Sequence, residues 1–364
     1  MTTRPLFAAR IVRMTRQKGM IALSVLTLCT LGLSLPASAE KSAVITFDPP
    51  GSIETIPNSI NRSGEITGYY FDGKIFHGFL RSPRGAFTTF DFPGATATVG
   101  ASLNPAGTIT GYYFEGNLVG HGFVRSHDGA LTSFDPVGSI ETEPASINAA
   151  GEITGSYTDT SGVSHGFLRD CDGAITSFDP PGSNGTFATA ISQTGEITGY
   201  YDEGPFLQHG FLRSRDGAYT TFDPPAAFAT MPSSINGAGE IIGSFYKSDL
   251  FKVHGFVRNR DGEITVFNGP GAVGTFPESI NAAGVTTGDY IGNGGQHGFV
   301  RDREGKLTTF DPPGSTDTAP TGINAVGVIT GSYTDARGVS RGFLRSPDHD
   351  EKQAQQRAED EQQN

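Results

Sequence analysis

The sequence predicts an all-β fold, a seven-bladed β-propeller of four-stranded blades, and three observations carry that expectation. The first is a repeat of three landmarks in fixed order. "HGF" begins at His77, His121, His165, His209, His254 and His297, and "RGF" follows at Arg341, at spacings of 44, 44, 44, 45, 43 and 44 residues. "FDPP" or a variant starts at Phe47, Phe90, Phe134, Phe178, Phe222, Phe267 and Phe310. "SIN" or a variant ends at Asn61, Asn104, Asn148, Ser192, Asn236, Asn281 and Asn324. The second is that each repeat reads as four short strands, which in about 44 residues is the size of a propeller blade. The third is how the array ends: the last repeat lacks its fourth strand, and the chain before the first repeat supplies one.

The elements follow in order within one unit, "PASINAAGEITGSYTDTSGVSHGFLRDCDGAITSFDPPG" from Pro144. "ASIN" is a short strand and "EITGSY", rich in β-branched and aromatic residues, a second. "HGFLR" and "AITSFD" are the third and fourth. Gly, Asp, Asn and Pro bound all of them, as strand ends require. "NAAG" joins the first two and "DCDG" the last two, both connections of hairpin type. No segment shows the 3.6-residue period of an amphipathic helix. One blade cannot bury both faces alone, so near-identical blades stack into a continuous core. The chain contains 26 Phe and no Trp, and Phe is expected to fill that core.

Residues 1–39 read as a secretory signal peptide. Arg4, Arg10, Arg13, Arg16 and Lys18 precede the apolar run "MIALSVLTLCTLGLSLP", and "ASAE" places cleavage after Ala39. An uncleaved membrane anchor is the alternative, since the run is near spanning length. Residues 40–346 form the repeat domain and residues 347–364 a charged, Gln-rich tail expected to be disordered. The orphan strand "AVITFDPP" from Ala43 is expected to complete the last repeat and close the ring; an open solenoid would instead carry polar caps at both ends.

The full chain has a formal net charge of −12. Without the leader's five basic residues, 21 basic face 38 acidic residues and the charge is −17. Such a surface repels nucleic acid and anionic lipid. Cys171 is the one cysteine left after Ala39, so no internal disulfide forms and no Cys-x-x-Cys cluster points to zinc. The expectations are a secreted or periplasmic monomer, without membrane insertion once the leader is removed, and without cofactor, metal or catalytic residue.

The recurring histidine starts the third strand and the Asp of "FDPP" ends the fourth, so the two meet across an antiparallel pair. A His–Asp hydrogen bond in most units is expected. Arg341 keeps a donor towards Asp48, and Asn268 keeps an acceptor for His254. A residue present in every blade does what every blade needs, so His77, His121, His165, His209, His254, His297 and Arg341 are read as structural. A histidine ring around one metal fails, because equivalent atoms on neighbouring blades lie too far apart for bonds of ~2 Å. The "SIN" asparagines are read as turn residues bonding local backbone. "DCDG" hints at a calcium loop, but its sisters "RSRDG" and "RSHDG" lack the ligand set. "GVSHG" at Gly162–Gly166 matches a serine-hydrolase pattern without the strand–turn–helix context that pattern needs.

The unit "SIN-x-x-G-x-I-T-G-x-Y … H-G-F … G-x-x-T-x-F" resembles the HAF-type repeats of bacterial extracellular proteins, over about residues 43–346. It departs in having Gly where the name-giving triplet has Ala, and "FDPPG" where many members carry a Leu/Gly-rich segment. The resemblance implies export and a repeat-built β fold. It implies no reaction and supplies no catalytic residue.

Three functions are weighed: a non-enzymatic binding or scaffold module, a carbohydrate- or lactone-active propeller enzyme, and a carbohydrate-binding lectin. An enzyme needs residues that break the repeat. Glu115, Glu203, Asp249 and Asp289 do so, without forming a recognisable constellation. The segments between second and third strands vary most and share a face with the crossings between blades, and variable loops on a rigid scaffold are where recognition lives. Phe71, Phe76, Phe114, Phe206 and Phe251 are the expected ligand-face loop residues, for an extracellular glycan or protein.

Overall fold

The computed structural model describes residues 44–116, 119–204, 206–247 and 252–347. The proposed leader, the tail beyond Pro347, Asp249 and Phe251 lie outside them. Among the described residues every regular element is a strand, and no helix is long and apolar enough to cross a membrane.

The third repeat shows the plan. Ser139–Ile147, Ile153–Asp159, Ser164–Arg169 and Ile175–Phe178 pair antiparallel in chain order. The first strand is longer than "ASIN" suggests. It runs back through Pro144, because a bulge between Pro144 and Ser146 takes up the irregularity there, where a missing N–H is tolerated. At that bulge the two strands press together. A Cβ on Gly155 would lie 2.2 Å from the Glu143 carbonyl oxygen, which explains the "ITG" glycine of each repeat. The "HGF" glycine answers a second demand: a Cβ on Gly166 would meet the Phe178 ring at 2.4 Å.

The first described strand, Val44–Phe47, pairs antiparallel with the last, Ser340–Arg345, and puts Phe47 opposite Gly342. This is the register in which Phe178 opposes Gly166. The N-terminal strand therefore occupies the fourth-strand position of the last repeat. Asp48 then receives Arg341 Nη1 at 2.7 Å.

The apolar core lies between repeats. Phe47 packs with Ile60, Ile66, Tyr70 and Phe79, Phe90 with Leu103, Ile109, Tyr113 and Phe123, and the plan continues to Phe310 with Ile323, Ile329, Tyr333 and Phe343. In each case the "FDPP" phenylalanine of one repeat enters the core of the next. Above each such ring sits the arginine that ends the next repeat's third strand. Arg81 covers Phe47, Arg125 covers Phe90, Arg169 covers Phe134 and Arg213 covers Phe178, at 4.8–5.2 Å from guanidinium carbon to ring centroid. Arg258, Arg301 and Arg345 do the same over Phe222, Phe267 and Phe310, at 4.8–5.0 Å. Burial pushes the Arg81, Arg125, Arg258 and Arg301 pKa values down. The aromatic face is the compensating partner.

First strands of successive repeats approach one another, the last reaching the first, so they form the inner edge. The "SIN" asparagines bridge there. Asn61 Nδ2 donates to the Asn104 carbonyl at 3.2 Å, Asn104 to Asn148 at 3.3 Å and Asn148 to Ser192 at 3.2 Å. Asn236 donates to Asn281 and Asn281 to Asn324, both at 3.1 Å, and Asn324 to Asn61 at 3.3 Å. The same side chains also accept local amides, such as Glu65 N at Asn61 Oδ1. They therefore do more than cap turns. Ser192 breaks the series, its hydroxyl meeting Thr194 Oγ1 at 2.8 Å instead.

Candidate functional site

Two ends of the strands behave differently. Turns from first to second strands repeat one hydrogen bond, Gly64 N to Asn61 O, Gly107 N to Asn104 O and so on to Gly327 N with Asn324 O. Turns from third to fourth strands repeat another, from Gly85 N with Ser82 O to Gly305 N with Asp302 O. The second-to-third hairpins at the other end follow no single pattern, although those of the third and seventh repeats, Asp159–Val163 and Asp335–Val339, match each other. Asp72 Oδ1 accepts from Lys74 and Ile75 N, Asp159 organises Ser161 and Val163, and Gly204 to Leu207 carries a bulge.

The recurrent histidines stand at this variable end. Nδ1 of His77, His121, His165, His209 and His297 lies 2.6–3.0 Å from Asp91, Asp135, Asp179, Asp223 and Asp311. His254 meets Asn268 at 2.9 Å. The carboxylates also serve the following repeat: Thr55 donates to Asp48 at 2.7 Å, and Thr186 to Asp179 and Thr318 to Asp311 at 2.6 Å. Hairpin acids reach the other imidazole nitrogen in some repeats: Glu203 at His209 Nε2 (2.8 Å), Asp159 at His165 Nε2 (3.4 Å) and Asp72 at His77 Nε2 (3.5 Å). Among the described residues no group of three or more His, Cys, Asp and Glu is placed to hold a metal ion. Asp170 in "DCDG" accepts the amides of Asp172 and Ala174 in its own turn. Cys171 is exposed.

Partial burial opposes protonation of His209, but hydrogen bonds to Asp223 and Glu203 and their charges outweigh it, so its pKa stands above the ordinary imidazole value. His165 is raised in the same way by Asp179 and Asp159 against burial. Asp159 itself is held well below the usual carboxylate range, first by the Ser161 hydroxyl and the Val163 amide, and stays ionised. A raised histidine pKa stabilises the fold fully below the unfolded value of about 6.5, and that stabilisation is lost as pH rises through the folded value. The melting temperature is therefore expected to fall as pH is raised from about 6 to about 8. His209→Gln should flatten that fall and cost ~1 kcal/mol at the lower pH. Thermal melts across the window check this; an unchanged slope would contradict it.

The structure separates the expected ligand-face residues. Phe206 is 89% exposed at a hairpin tip, with φ 66°. Phe71 ends the strand Ile66–Phe71, half-buried, its ring 4.7 Å from Phe76. Phe76 and Phe114 are not loop residues. Phe76 opens the strand Phe76–Arg81 and Phe114 ends Ile109–Phe114; both are buried, Phe114 completely. The strand ladder continues beyond the sequence-read boundary because these apolar side chains can be covered: Phe114 packs edge-on to Tyr112 at 5.7 Å. Among residues unique to one repeat, Glu203 pairs with His209 within its own repeat. Asp289 is buried beside Gln296 and Glu278 of its own repeat, and burial, then the Glu278 charge, pushes its pKa well up. Glu115 lies in a different hairpin. The three are not brought together.

No family model matches the chain, and no curated protein sequence matches it. Among solved structures the chain is similar to selenomethionine-substituted virginiamycin B lyase from Staphylococcus aureus, at 14% identity and a TM-score of 0.56, covering 84% of this chain and 99% of that one. The β-propeller domain of the Trilobed protease from Pyrococcus furiosus matches at 10% identity and TM-score 0.56, over 82% and 96% of the two chains. Puromycin hydrolase matches at 13% identity and TM-score 0.57, over 82% of this chain and 54% of its own. At these identities the likeness is one of fold. The protein is all-β and propeller-like.

Proposed function

We propose that this protein is an exported, non-enzymatic binding or scaffold module. In this reading it is a seven-bladed β-propeller closed by its N-terminal strand and related to the HAF-type extracellular repeats. It works as a monomer, in the periplasm or outside the cell, and takes a glycan or protein partner on the hairpin end. One observation carries the reading: the second-to-third hairpins vary in sequence and turn geometry, while the turns at the opposite end repeat the same backbone bonds. Ring closure is supported by the Val44–Phe47 pairing and by Asn324 reaching Asn61. A non-enzymatic role is supported by the His–Asp pairs recurring from repeat to repeat and by the separation of Glu115, Glu203 and Asp289. Exposed apolar side chains at the crossings, Ile53, Val137, Ile140 and Val273, together with Phe206, supply contact area.

Phe206 gives the test. A non-glycine residue at positive φ is strained, so Phe206→Gly should hold or raise the melting temperature. Screened on glycan and peptide arrays, the chain from residue 40 should bind, and Phe206→Gly should weaken its hits about tenfold, the worth of one exposed aromatic anchor. Cleavage of an arrayed glycan would replace this reading with the enzyme. Binding indifferent to Phe206 would remove the hairpin end as the contact surface.

A further inference from the structure

The inner strands carry a second arrangement, unlike the repeated His–Asp pairs. One position of each first strand faces one position of each second strand across the ladder. The first-strand residues are Ile56, Val99, Glu143, Phe187, Met231, Phe276 and Ala319. Six are apolar and one is a carboxylate. Opposite them, Tyr69, Tyr112 and Tyr200 stand in the first, second and fourth repeats, with Ser156 opposite Glu143. Glu143 thus sits half-buried between two repeats that carry tyrosines at the inner edge.

The electrostatics tie these groups together across repeats. Burial, then Tyr69, Glu143 and Glu141, hold the Tyr112 phenol well above its usual pKa. Burial, then Asp202 and Glu143, do the same to Tyr200. The Glu143 charge therefore acts on phenols of both flanking repeats. The aromatic surface is ordered: Phe187 stacks on Tyr200 at 4.9 Å. Glu141 approaches the backbone beside Phe114, near where a Cβ on Gly120 would lie. Elsewhere the tyrosine position is filled differently: the fifth and seventh repeats place Ser244 and Ser332 there, and the sixth places the buried Asp289.

We propose that this arc of Tyr112, Tyr200, Phe187, Glu141 and Glu143, backed by the buried Tyr69, is a binding site for an organic ammonium ion. The inference rests on reading the protein as a binding propeller and names a ligand class for its inner edge. Neutral phenols and a phenyl ring present electron-rich faces that attract a cation. Carboxylates in a partly desolvated setting give the attraction net charge. Sugars would stack on the same rings without needing Glu143, and the site lacks a third His, Cys, Asp or Glu placed for a metal ion among the described residues.

The test uses the chain from residue 40 and choline as probe, with its uncharged carbon isostere beside it. The chain has no Trp and 11 Tyr, so a tyrosine-fluorescence change that Tyr200→Leu diminishes reports the site, and calorimetry gives Kd. Choline should bind and quench, and the isostere should bind about tenfold more weakly or not at all. Glu143→Gln, near-isosteric and in a position other repeats fill with apolar residues, should fold normally and weaken choline about tenfold. Tyr112→Phe should keep the affinity, because the ring face remains, and Tyr200→Leu should lower it several-fold. Equal binding of choline and isostere, an unchanged Kd in Glu143→Gln, displacement by calcium, or no binding at millimolar choline would each overturn the site. None of these touches the array result with Phe206→Gly, which judges the hairpin-end reading separately.

Discussion

Removing residues 40–50 is expected to abolish cooperative unfolding, while removing residues 348–364 leaves the melting temperature unchanged. The first deletion takes away the strand paired with Ser340–Arg345. It also removes the Asp48 carboxylate that Arg341 and Thr55 both address. Phe47 goes with it, the ring beneath Arg81 and within the core of Ile60, Ile66, Tyr70 and Phe79. One exposed strand edge and one unfilled core remain, and an unpaired edge invites association with other chains. The point variant Phe47→Ala isolates the packing contribution, at about 3–5 kcal/mol. The second deletion removes "DHDEKQAQQRAEDEQQN", a sequence with almost nothing to bury. Denaturant titration of the three variants checks the order. Equal midpoints for the two truncations would exclude closure by the N-terminal strand.

Gly243→Ala is expected to cost about 3 kcal/mol, the upper end for one inserted methyl group. The new Cβ would lie 2.3 Å from the Met231 carbonyl oxygen and 2.6 Å from Pro232 Cα. Both are backbone atoms fixed by the ladder and the bulge, so no side chain can swing aside. Gly237→Ala is the control. Nothing lies within 4 Å of its added Cβ, and sister repeats place Ala149, Ala282 and Ala325 there. It should be neutral or stabilise by about 0.4–1 kcal/mol through the unfolded chain. Similar losses in both variants would refute the close-approach explanation of the "ITG" glycine.

Much of the architecture can be read from spacing, because a repeat announces its own boundaries. The partnership of His209 with Asp223 follows from hairpin register: the two residues begin and end neighbouring strands. The orphan "AVITFDPP" could be matched to its missing place for the same reason. Contacts between repeats are a different matter. Arg81 reads as an ordinary charged strand end, and nothing local says that Phe47 lies beneath it. Asn61 reads as a turn residue, and its second amide bond, to Asn104, appears only once two repeats stand side by side. Phe76 and Phe114 read as loop residues because their segments vary between repeats, yet variation there includes ladder residues with buried rings. The inner arc is not legible in one repeat for a related reason. Glu143 is conspicuous only when seven residues in equivalent positions are set side by side and six prove apolar.

The arginine-over-phenylalanine contact has an evolutionary corollary. Each repeat offers a ring at its outgoing boundary and a guanidinium at its incoming one, in the same places and at nearly the same distance. The joint between any two repeats is therefore the same joint. A duplicated or deleted stretch of one full period would meet neighbours that already fit it, so the gene can lengthen, shorten or shuffle by recombination without inventing an interface. Residues that differ between repeats, at the hairpin tips and along the inner arc, are then free to diverge. The scaffold that holds them does not depend on which copy they occupy.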